Sequence, residues 1–327
     1  MNRWHRRTLS IFVGMSAVFA SSCTEPNAVD TQLTQVRVAQ TGDFLLYAGL
    51  YIAVDQGFFE AEGLEVAISN TGGDQNSVAS VLSGSAEFGI GDPAFAAIAA
   101  NRGQDTKVVG VLVEGVPFWG LTYDEEVVQN YQEYGLEGLR VATFPSPSTA
   151  YTLQLQEFQK RGLTPTIVQG AFGSLNGILE TGNADIALDL EPNVSQAVSR
   201  GATVLYSLAE EYPDFLITGI TVRGDYVIEE RETVLAFLEA LDDAFDYMRA
   251  ETGEATGLLQ RRFPEVPAEV VADAVERMLA DGVIPMSTEP TLSGWNQAVA
   301  LRVGVGDLPA EFDAGSVLQP VSPSADE

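Results

Sequence analysis

Hydrophobic and polar positions alternate along residues 36–92 in a way that predicts strands separated by helices. Residues 36–39 form a short alternating run, which is typical of a strand. The apolar positions that follow have the spacing of one helix face and are Tyr47, Leu50, Tyr51 and Val54. Two more strands are predicted at residues 64–68 and 87–91, with a helix between them that ends at Gly84. Strands and helices that alternate at these lengths indicate a mainly parallel sheet.

The same pattern continues through the second third of the chain. Residues 107–113 predict a further strand, and the apolar run 116–122 predicts a strand that crosses to a second lobe. The strands predicted for that lobe are residues 139–143, 165–168, 185–188 and 203–206. Residues 215–222 predict the return crossing, and the chain from residue 229 onward is predicted to be nearly all helix.

Several motifs in this pattern resemble a known family. They are YAGLYIAVDQGFFEAEG at 47–63, VLSGSAEFGIGD at 81–92, GLRV at 138–141, LETGNAD at 179–185 and Glu191-Pro192. The sequence resembles the solute-binding proteins of ABC importers of the nitrate, sulfonate, taurine and thiamine-pyrimidine type, over most of residues 36–250. The resemblance implies a two-lobed type II periplasmic-binding-protein fold with two hinge crossings. It also implies a small-molecule ligand, a permease and an ATPase as partners, a monomer, and no cofactor, metal or catalytic residue.

We therefore expect the following organisation. The predicted segments are a signal peptide (1–22), a tether (23–34), lobe one (35–122 with 223–312), lobe two (123–222) and a loosely ordered tail (313–327).

The N-terminus predicts export. Three arginines precede an apolar run at residues 9–20, and small residues close that run before Cys23. This is the composition of a secretory signal peptide, and the apolar run is too short to span a membrane. Cys23 is the only cysteine, and its place after small residues resembles the acylation site of bacterial lipoproteins. The alternative is an ordinary signal peptide with a chance cysteine.

Charge and residue types exclude several classes of function. Without residues 1–22 the chain has 14 basic and 46 acidic residues, a net charge of −32, which argues against nucleic-acid or anionic-membrane binding. That segment also carries His5, the only histidine. Without histidine, and with its one cysteine lipidated, the chain cannot build a Ser-His-Asp site or a His/Cys zinc site.

In a two-lobed α/β fold, a ligand binds between the lobes, against the loops at the carboxyl ends of the strands. This rule selects loops in both lobes. The candidate ligand-binding residues are Phe44, Tyr47, Gly72, Gly73, Asp74, Asp92, Glu114, Phe118, Trp119, Ser146, Ser148, Thr149, Asp189 and Glu191.

Each type of candidate has a structural alternative. The four aromatic residues could stack on a planar ligand or pack in the core. Ser146, Ser148 and Thr149 could bind an oxyanion or carbonyl, or only cap a helix. The two glycines could let backbone approach a ligand or only form a turn. Asp74 and Asp92 are placed where helix caps occur, whereas the other three carboxylates have no such explanation in the sequence.

The selected loops contain several carboxylates and no lysine or arginine. Because carboxylates repel an anion in a closed cleft, we predict a neutral or cationic nitrogen heterocycle, such as a thiamine-precursor pyrimidine, as ligand. The alternative ligand is a sulfonate, taurine or nitrate anion held by backbone N–H groups. A sensor subunit, or an enzyme of pyrimidine or quinone metabolism on the same fold, is the alternative of another class.

Overall fold

The computed structural model describes residues 32–146 and 148–321 of the chain. Within this part, no helix is both long and apolar enough to cross a membrane. The predicted signal peptide, Cys23, the tether up to residue 31 and the last six residues of the predicted tail lie outside the described residues.

Ten strands lie in the described part, close to the positions that the apolar pattern predicts. They are β1 Thr34–Gln40, β2 Leu64–Asn70, β3 Phe88–Gly91, β4 Thr106–Glu114, β5 Trp119–Thr122, β6 Arg140–Thr143, β7 Thr166–Gln169, β8 Ile186–Asp189, β9 Thr203–Ser207 and β10 Leu216–Arg223.

The described helices alternate with these strands and then continue alone. They are α1 Ala48–Gln56, α2 Phe58–Ala61, α3 Asp74–Leu82, α4 Ala94–Asn101, α5 Glu125–Tyr134, α6 Thr149–Lys160, α7 Leu175–Glu180, α8 Asn193–Ser199, α9 Leu208–Glu211, α10 Gly224–Glu229, α11 Arg231–Ala250, α12 Thr252–Arg262, α13 Ala268–Ala280 and α14 Leu292–Gly304. Two short 3-10 helices, Leu45–Tyr47 and Ala314–Ser316, complete the list.

The strands form two five-stranded sheets, each the centre of one lobe. Sheet one has the order β2-β1-β3-β10-β4, and sheet two has the order β7-β6-β8-β5-β9. In sheet one β10 is antiparallel to both neighbours, and in sheet two β5 is antiparallel to both neighbours. The other four strands of each sheet share one direction. The predicted two-lobed α/β fold with mainly parallel sheets is therefore confirmed.

The chain changes sheets at positions that differ from the predicted lobe boundaries. The sequence assigned residues 119–122 to lobe one, but β5 pairs with β8 and β9 in sheet two. It assigned residues 216–222 to lobe two, but β10 pairs with β3 and β4 in sheet one. The crossings are therefore the segments 115–118 and 208–215, because a crossing strand belongs to the sheet whose hydrogen bonds it completes.

Residues 313–321 are packed, whereas the sequence predicted a loose tail from residue 313. The backbone N–H of Val108 in β4 donates to the carbonyl of Val317, and the N–H of Gln319 donates back to Val108. Val317 and Val321 are buried, and the indole of Trp295 in α14 donates to the carbonyl of Ala314. Apolar residues in this acidic, proline-containing segment therefore hold it against sheet one up to residue 321.

The core of lobe one lies between sheet one and α11. The ring of Phe237 in α11 stacks on Phe88 of β3 at 3.9 Å and on Phe59 of α2 at 4.9 Å between centroids. Gly49 lets α1 approach α11 closely, because a Cβ there would lie 2.3 Å from a ring carbon of Phe245. Farther along, α13 packs against α12 and also against α8 of lobe two. The C-terminal helices thus connect the two lobes on one side of the cleft.

Candidate ligand-binding cleft

The loops after the parallel strands of both lobes contact each other. Asp92 follows β3 in lobe one, and Thr149 begins α6 in lobe two, after β6. The hydroxyl of Thr149 donates to Oδ2 of Asp92 at 2.5 Å. Because these residues come from different sheets, this contact spans the cleft, as the rule of loops at the carboxyl ends of strands predicts.

Arg302 completes this contact from α14. Its Nη2 lies 2.8 Å from Oδ2 of Asp92 and 2.7 Å from the hydroxyl oxygen of Thr149. All three side chains are buried, and Arg302 is 1% exposed. We call Asp92, Thr149 and Arg302 the interlobe triad. It combines a guanidinium, a carboxylate and a hydroxyl from three separate parts of the chain.

Asp74 lies beside the triad at the start of α3. Its Oδ1 accepts hydrogen bonds from the hydroxyl of Thr41 at 2.6 Å and from the backbone N–H of Asp92 at 3.0 Å. Burial, followed by the charge of Asp92, raises the pKa of Asp74. Burial and then the charge of Asp74 also raise the pKa of the Tyr47 phenol. The lobe-one wall is thus a connected polar network.

Aromatic rings from both lobes meet at the cleft. Phe44 of lobe one lies 5.7 Å from Phe172 of lobe two, and Phe172 stacks on Phe144 at 4.4 Å between centroids. Phe118 at the crossing contacts Phe144 at 5.3 Å, and Tyr47 contacts Phe44 at 5.6 Å. Phe172 is 54% exposed, so one ring of this aromatic wall faces open space.

A groove of about 410 Å³ opens beside this wall. Its lining combines phenylalanine rings, carboxylates and amides and contains no lysine or arginine among the described residues. The lining residues are Asp43, Phe44, Leu45, Phe172, Gly173, Leu190, Glu191, Pro192, Asn193, Gln196, Phe263, Glu265 and Val266. A volume of this size accommodates a small organic molecule.

Asp189 ends β8 directly before the groove residue Leu190. It is fully buried, and its Oδ1 accepts from the backbone N–H of Leu190 at 2.8 Å and from Nδ2 of Asn193 at 3.1 Å. Its Oδ2 has no hydrogen-bond partner among the described residues. Burial raises the pKa of this carboxyl to about 6. A buried acceptor without a donor is costly to leave unpaired, and Asp189 is not among the residues that line the groove.

Glu191 has a different environment from that of Asp189. Its Oε1 accepts from Nε of Arg277 in α13 at 2.7 Å and from the hydroxyl of Ser195 at 2.8 Å, and its Oε2 accepts from the Ser195 backbone N–H at 3.0 Å. Burial raises the pKa of Glu191, although these hydrogen bonds oppose the rise. Its carboxylate is thus already engaged within the protein, where it joins α8 to α13.

The loops selected from the sequence contain no lysine or arginine, but two arginines from elsewhere in the chain contact their carboxylates. Arg302 and Arg277 neutralise two of the predicted carboxylates, Asp92 and Glu191. Both arginines belong to C-terminal helices, so a search confined to the loops after the strands could not find them. Phe172, in contrast, is an apolar residue four positions after the predicted strand 165–168, in the loop that follows it, and this was a usable signal in the sequence.

Two further predicted residues, Glu114 and Trp119, lie on either side of the first crossing segment, 115–118, which we call the hinge. Trp119 is 1% exposed, and its indole N–H donates to Oδ2 of Asp281 at 2.7 Å. Glu114 is half-buried, and burial followed by the charge of Asp214 raises its pKa. The backbone N–H of Glu114 donates to the carbonyl of Val283. Trp119 therefore packs beside the hinge and does not offer a ring face to the groove.

The remaining predicted residues shape the loops. Ser148 caps α6 by accepting from the N–H of Tyr151, and the N–H of exposed Ser146 donates to the side chain of Gln169. Gly72 has a φ of +78°, which favours glycine. Gly73 directly precedes α3. No group of three or more histidine, cysteine, aspartate or glutamate side chains in the described part could hold a metal ion.

Comparison with known proteins identifies the family. The sequence profile described as "NMT1/THI5 like" matches residues 46–255. The chain belongs to the NMT1/THI5-like family. A relative of this NMT1/THI5-like protein in Bacillus subtilis (strain 168), named "Putative binding protein YtlA", is 22% identical over 289 residues, which cover 85% of this chain and 84% of the relative.

Solved structures show the same fold. The periplasmic aliphatic sulphonate binding protein SsuA from Escherichia coli is 17% identical, with a TM-score of 0.71 over 88% of this chain and 92% of SsuA. The periplasmic nitrate-binding protein NrtA from Synechocystis PCC 6803 is 14% identical, with a TM-score of 0.68 over 88% of this chain and 86% of NrtA. This NMT1/THI5-like protein therefore has the periplasmic-binding-protein fold.

Proposed function

We propose that this protein is the extracytoplasmic solute-binding component of an ABC importer. The observation that carries the proposal is the groove between two lobes, lined by residues from the loops of both. A ligand that contacts both lobes favours the closed arrangement by as much as its affinity for that arrangement exceeds its affinity for the open one. The protein then delivers the solute to a permease and its ATPase, with no bond made or broken. The fold it shares with SsuA and NrtA supports this role.

The ligand in this proposal is a small nitrogen heterocycle, neutral or cationic, such as an aminopyrimidine. The exposed ring of Phe172, continued by Phe44, offers a face on which a planar ring can stack. The side-chain amides of Asn193 and Gln196 in the groove lining offer oxygens that can accept an N–H from that ring. The carboxylates Asp43 and Glu265 in the groove lining favour a cationic substituent over an anionic one.

Titration calorimetry with a panel of aminopyrimidines, thiamine, riboflavin, taurine, alkanesulfonates and nitrate tests this proposal. We expect binding of heterocycles only. Phe172→Ala removes one stacking face and weakens binding roughly 2- to 10-fold. Glu265→Gln removes a carboxylate of the groove lining and weakens the binding of cationic ligands roughly 2- to 10-fold. Asp243→Asn, at an exposed position of α11, is the matched control and leaves affinity unchanged.

Two outcomes of this panel contradict the proposals. Binding of sulfonates or nitrate in place of heterocycles contradicts the ligand proposal. Absence of binding by every compound in the panel and by a wider solute library contradicts the receptor role.

We also propose that the protein is exported, anchored by a lipid on Cys23, and monomeric. Radiolabelled palmitate supplied to expressing cells should label the chain, whereas Cys23→Ser should remain unlabelled and leave the membrane fraction. Equal labelling of both forms would contradict the anchor. Sedimentation of the soluble Cys23→Ser form should give the mass of one chain, and a dimer would contradict the monomer.

A further inference from the structure

The helices that start at the cleft have N-termini already bound by the protein's own side chains. The N–H of Ala94 in α4 donates to Oδ1 of Asp92 at 2.9 Å. The N–H of Tyr151 in α6 donates to Ser148, and the N–H of Ser195 in α8 donates to Glu191. Free N–H groups at helix N-termini are a common binding site for anions. At each of these three helices, one such N–H group already has a side-chain acceptor within the chain.

Asp92 has the contacts that a bound oxyanion would have. One oxygen accepts from the N-terminus of α4, at Ala94. The other accepts from the guanidinium of Arg302 and from the hydroxyl of Thr149 at the start of α6. A guanidinium, a hydroxyl and a helix N-terminus together are the donors that proteins use for sulfonate, phosphate or nitrate. Here the carboxylate that accepts from them is part of the chain.

We propose that Asp92 determines the charge selectivity of the cleft by occupying an oxyanion site. Its carboxylate takes the place of the anion, so the cleft rejects anions at this position. This inference rests on the proposed role as a solute receptor and adds the residue that sets the ligand class. Buried Arg302 supplies the positive charge of this site. Its Nη1 also lies 3.3 Å from the partly exposed Asp307, but its Nη2 is held by Asp92 and Thr149 and would face an anion if the Asp92 carboxylate were absent.

The test is the binding of anions by variants that lack this carboxylate. Asp92→Ala empties the position beside Arg302, and Asp92→Ser does the same while keeping an oxygen that can cap α4. We expect nitrate and methanesulfonate to raise the melting temperature of both variants, relative to sodium gluconate at equal ionic strength. By titration calorimetry, their affinity for nitrate should exceed that of the wild type by roughly tenfold or more.

Two controls identify the site. Asp243→Ala removes a carboxylate at an exposed position of α11 that does not line the groove, and this variant should show no new nitrate binding. The double variant Asp92→Ser with Arg302→Gln should lose the nitrate response. If the single variants fold only in nitrate, measured by circular dichroism, the anion has replaced the carboxylate and the proposal is supported.

Three outcomes overturn the proposal. They are nitrate binding by the wild type as strong as by the variants, folded variants without a nitrate response, and variants that stay unfolded at every nitrate concentration. Binding of heterocycles by the wild type is measured separately. A failed anion test therefore leaves the receptor proposal intact, and failure of the heterocycle panel leaves the anion test interpretable.

Discussion

Asp189 gives the protein a stability that depends on pH in a direction opposite to that of most carboxylates. Its pKa is raised from the ordinary value of 3.8 to about 6 by burial. The folded protein therefore keeps a proton that the unfolded chain releases, and the free energy of unfolding falls as the pH rises between these two values. Below the unfolded pKa both states are protonated and the group contributes nothing.

The magnitude follows from the two pKa values. One pKa unit corresponds to 1.36 kcal/mol, so a rise from 3.8 to about 6 lowers the free energy of unfolding by about 3 kcal/mol above pH 7. The variant Asp189→Asn has no ionisable group at this position, so its free energy of unfolding lacks this decrease. Its amide N–H₂ takes the place of the unpartnered Oδ2, which adds a cost of about 1–3 kcal/mol that does not depend on pH.

Urea denaturation followed by circular dichroism between pH 4 and pH 8 measures this effect. The free energy of unfolding of Asp189→Asn minus that of the wild type should increase by about 2–3 kcal/mol from pH 4 to pH 7. The exposed control Asp243→Asn should not show this increase. Parallel curves for Asp189→Asn and the wild type across the range would refute the reasoning, because they would mean that Asp189 titrates alike in the folded and unfolded states.

Two further predictions concern packing and ion pairing, and both are checked by the free energy of unfolding in urea. Gly49→Ala should destabilise by roughly 1–3 kcal/mol, because its Cβ would lie 2.3 Å from a ring carbon of α11. Gly253→Ala, where nothing lies within 4 Å, should be neutral or stabilising by about 0.5 kcal/mol, and equal losses at both sites would contradict this account. Arg277→Met should destabilise by roughly 3 kcal/mol or more, because it leaves the buried Glu191 without its cation. Arg200→Gln, which removes an exposed ion pair, should change the free energy by less than about 1 kcal/mol, and a comparable loss would show that burial does not set the value of these pairs.

The sequence predicts the strands of this fold well, because the apolar period that defines a strand is local. It predicts the lobe boundaries less well. β5 and β10 have ordinary apolar patterns. The sheet that each strand joins depends on pairing with strands distant in the sequence, as Trp119 of β5 pairs with Asp189 of β8. A local pattern carries no information about such partners.

The same distinction between local and distant residues applies to the cleft. The loops after the strands are predicted correctly because parallel strands end at one edge of a sheet. The environments of the carboxylates in those loops are not predicted by this rule. Asp189 and Glu191 are two residues apart and equivalent in the sequence. Within the part of the chain that the structure describes, however, an oxygen of Asp189 has no hydrogen-bond partner, whereas Glu191 binds Arg277. The difference depends on a helix that begins at residue 268.

The position of β10 in sheet one affects how the chain can fold during synthesis. β10 lies between β3 and β4, yet it follows β4 by about 100 residues that contain all of sheet two. A nascent chain can therefore complete sheet two as one continuous segment, while β3 and β4 still lack the strand that joins them. Closing that long connection is the slow, entropically costly step. The second lobe should therefore be the first to become resistant to protease, although four of the five strands of sheet one are synthesised before it.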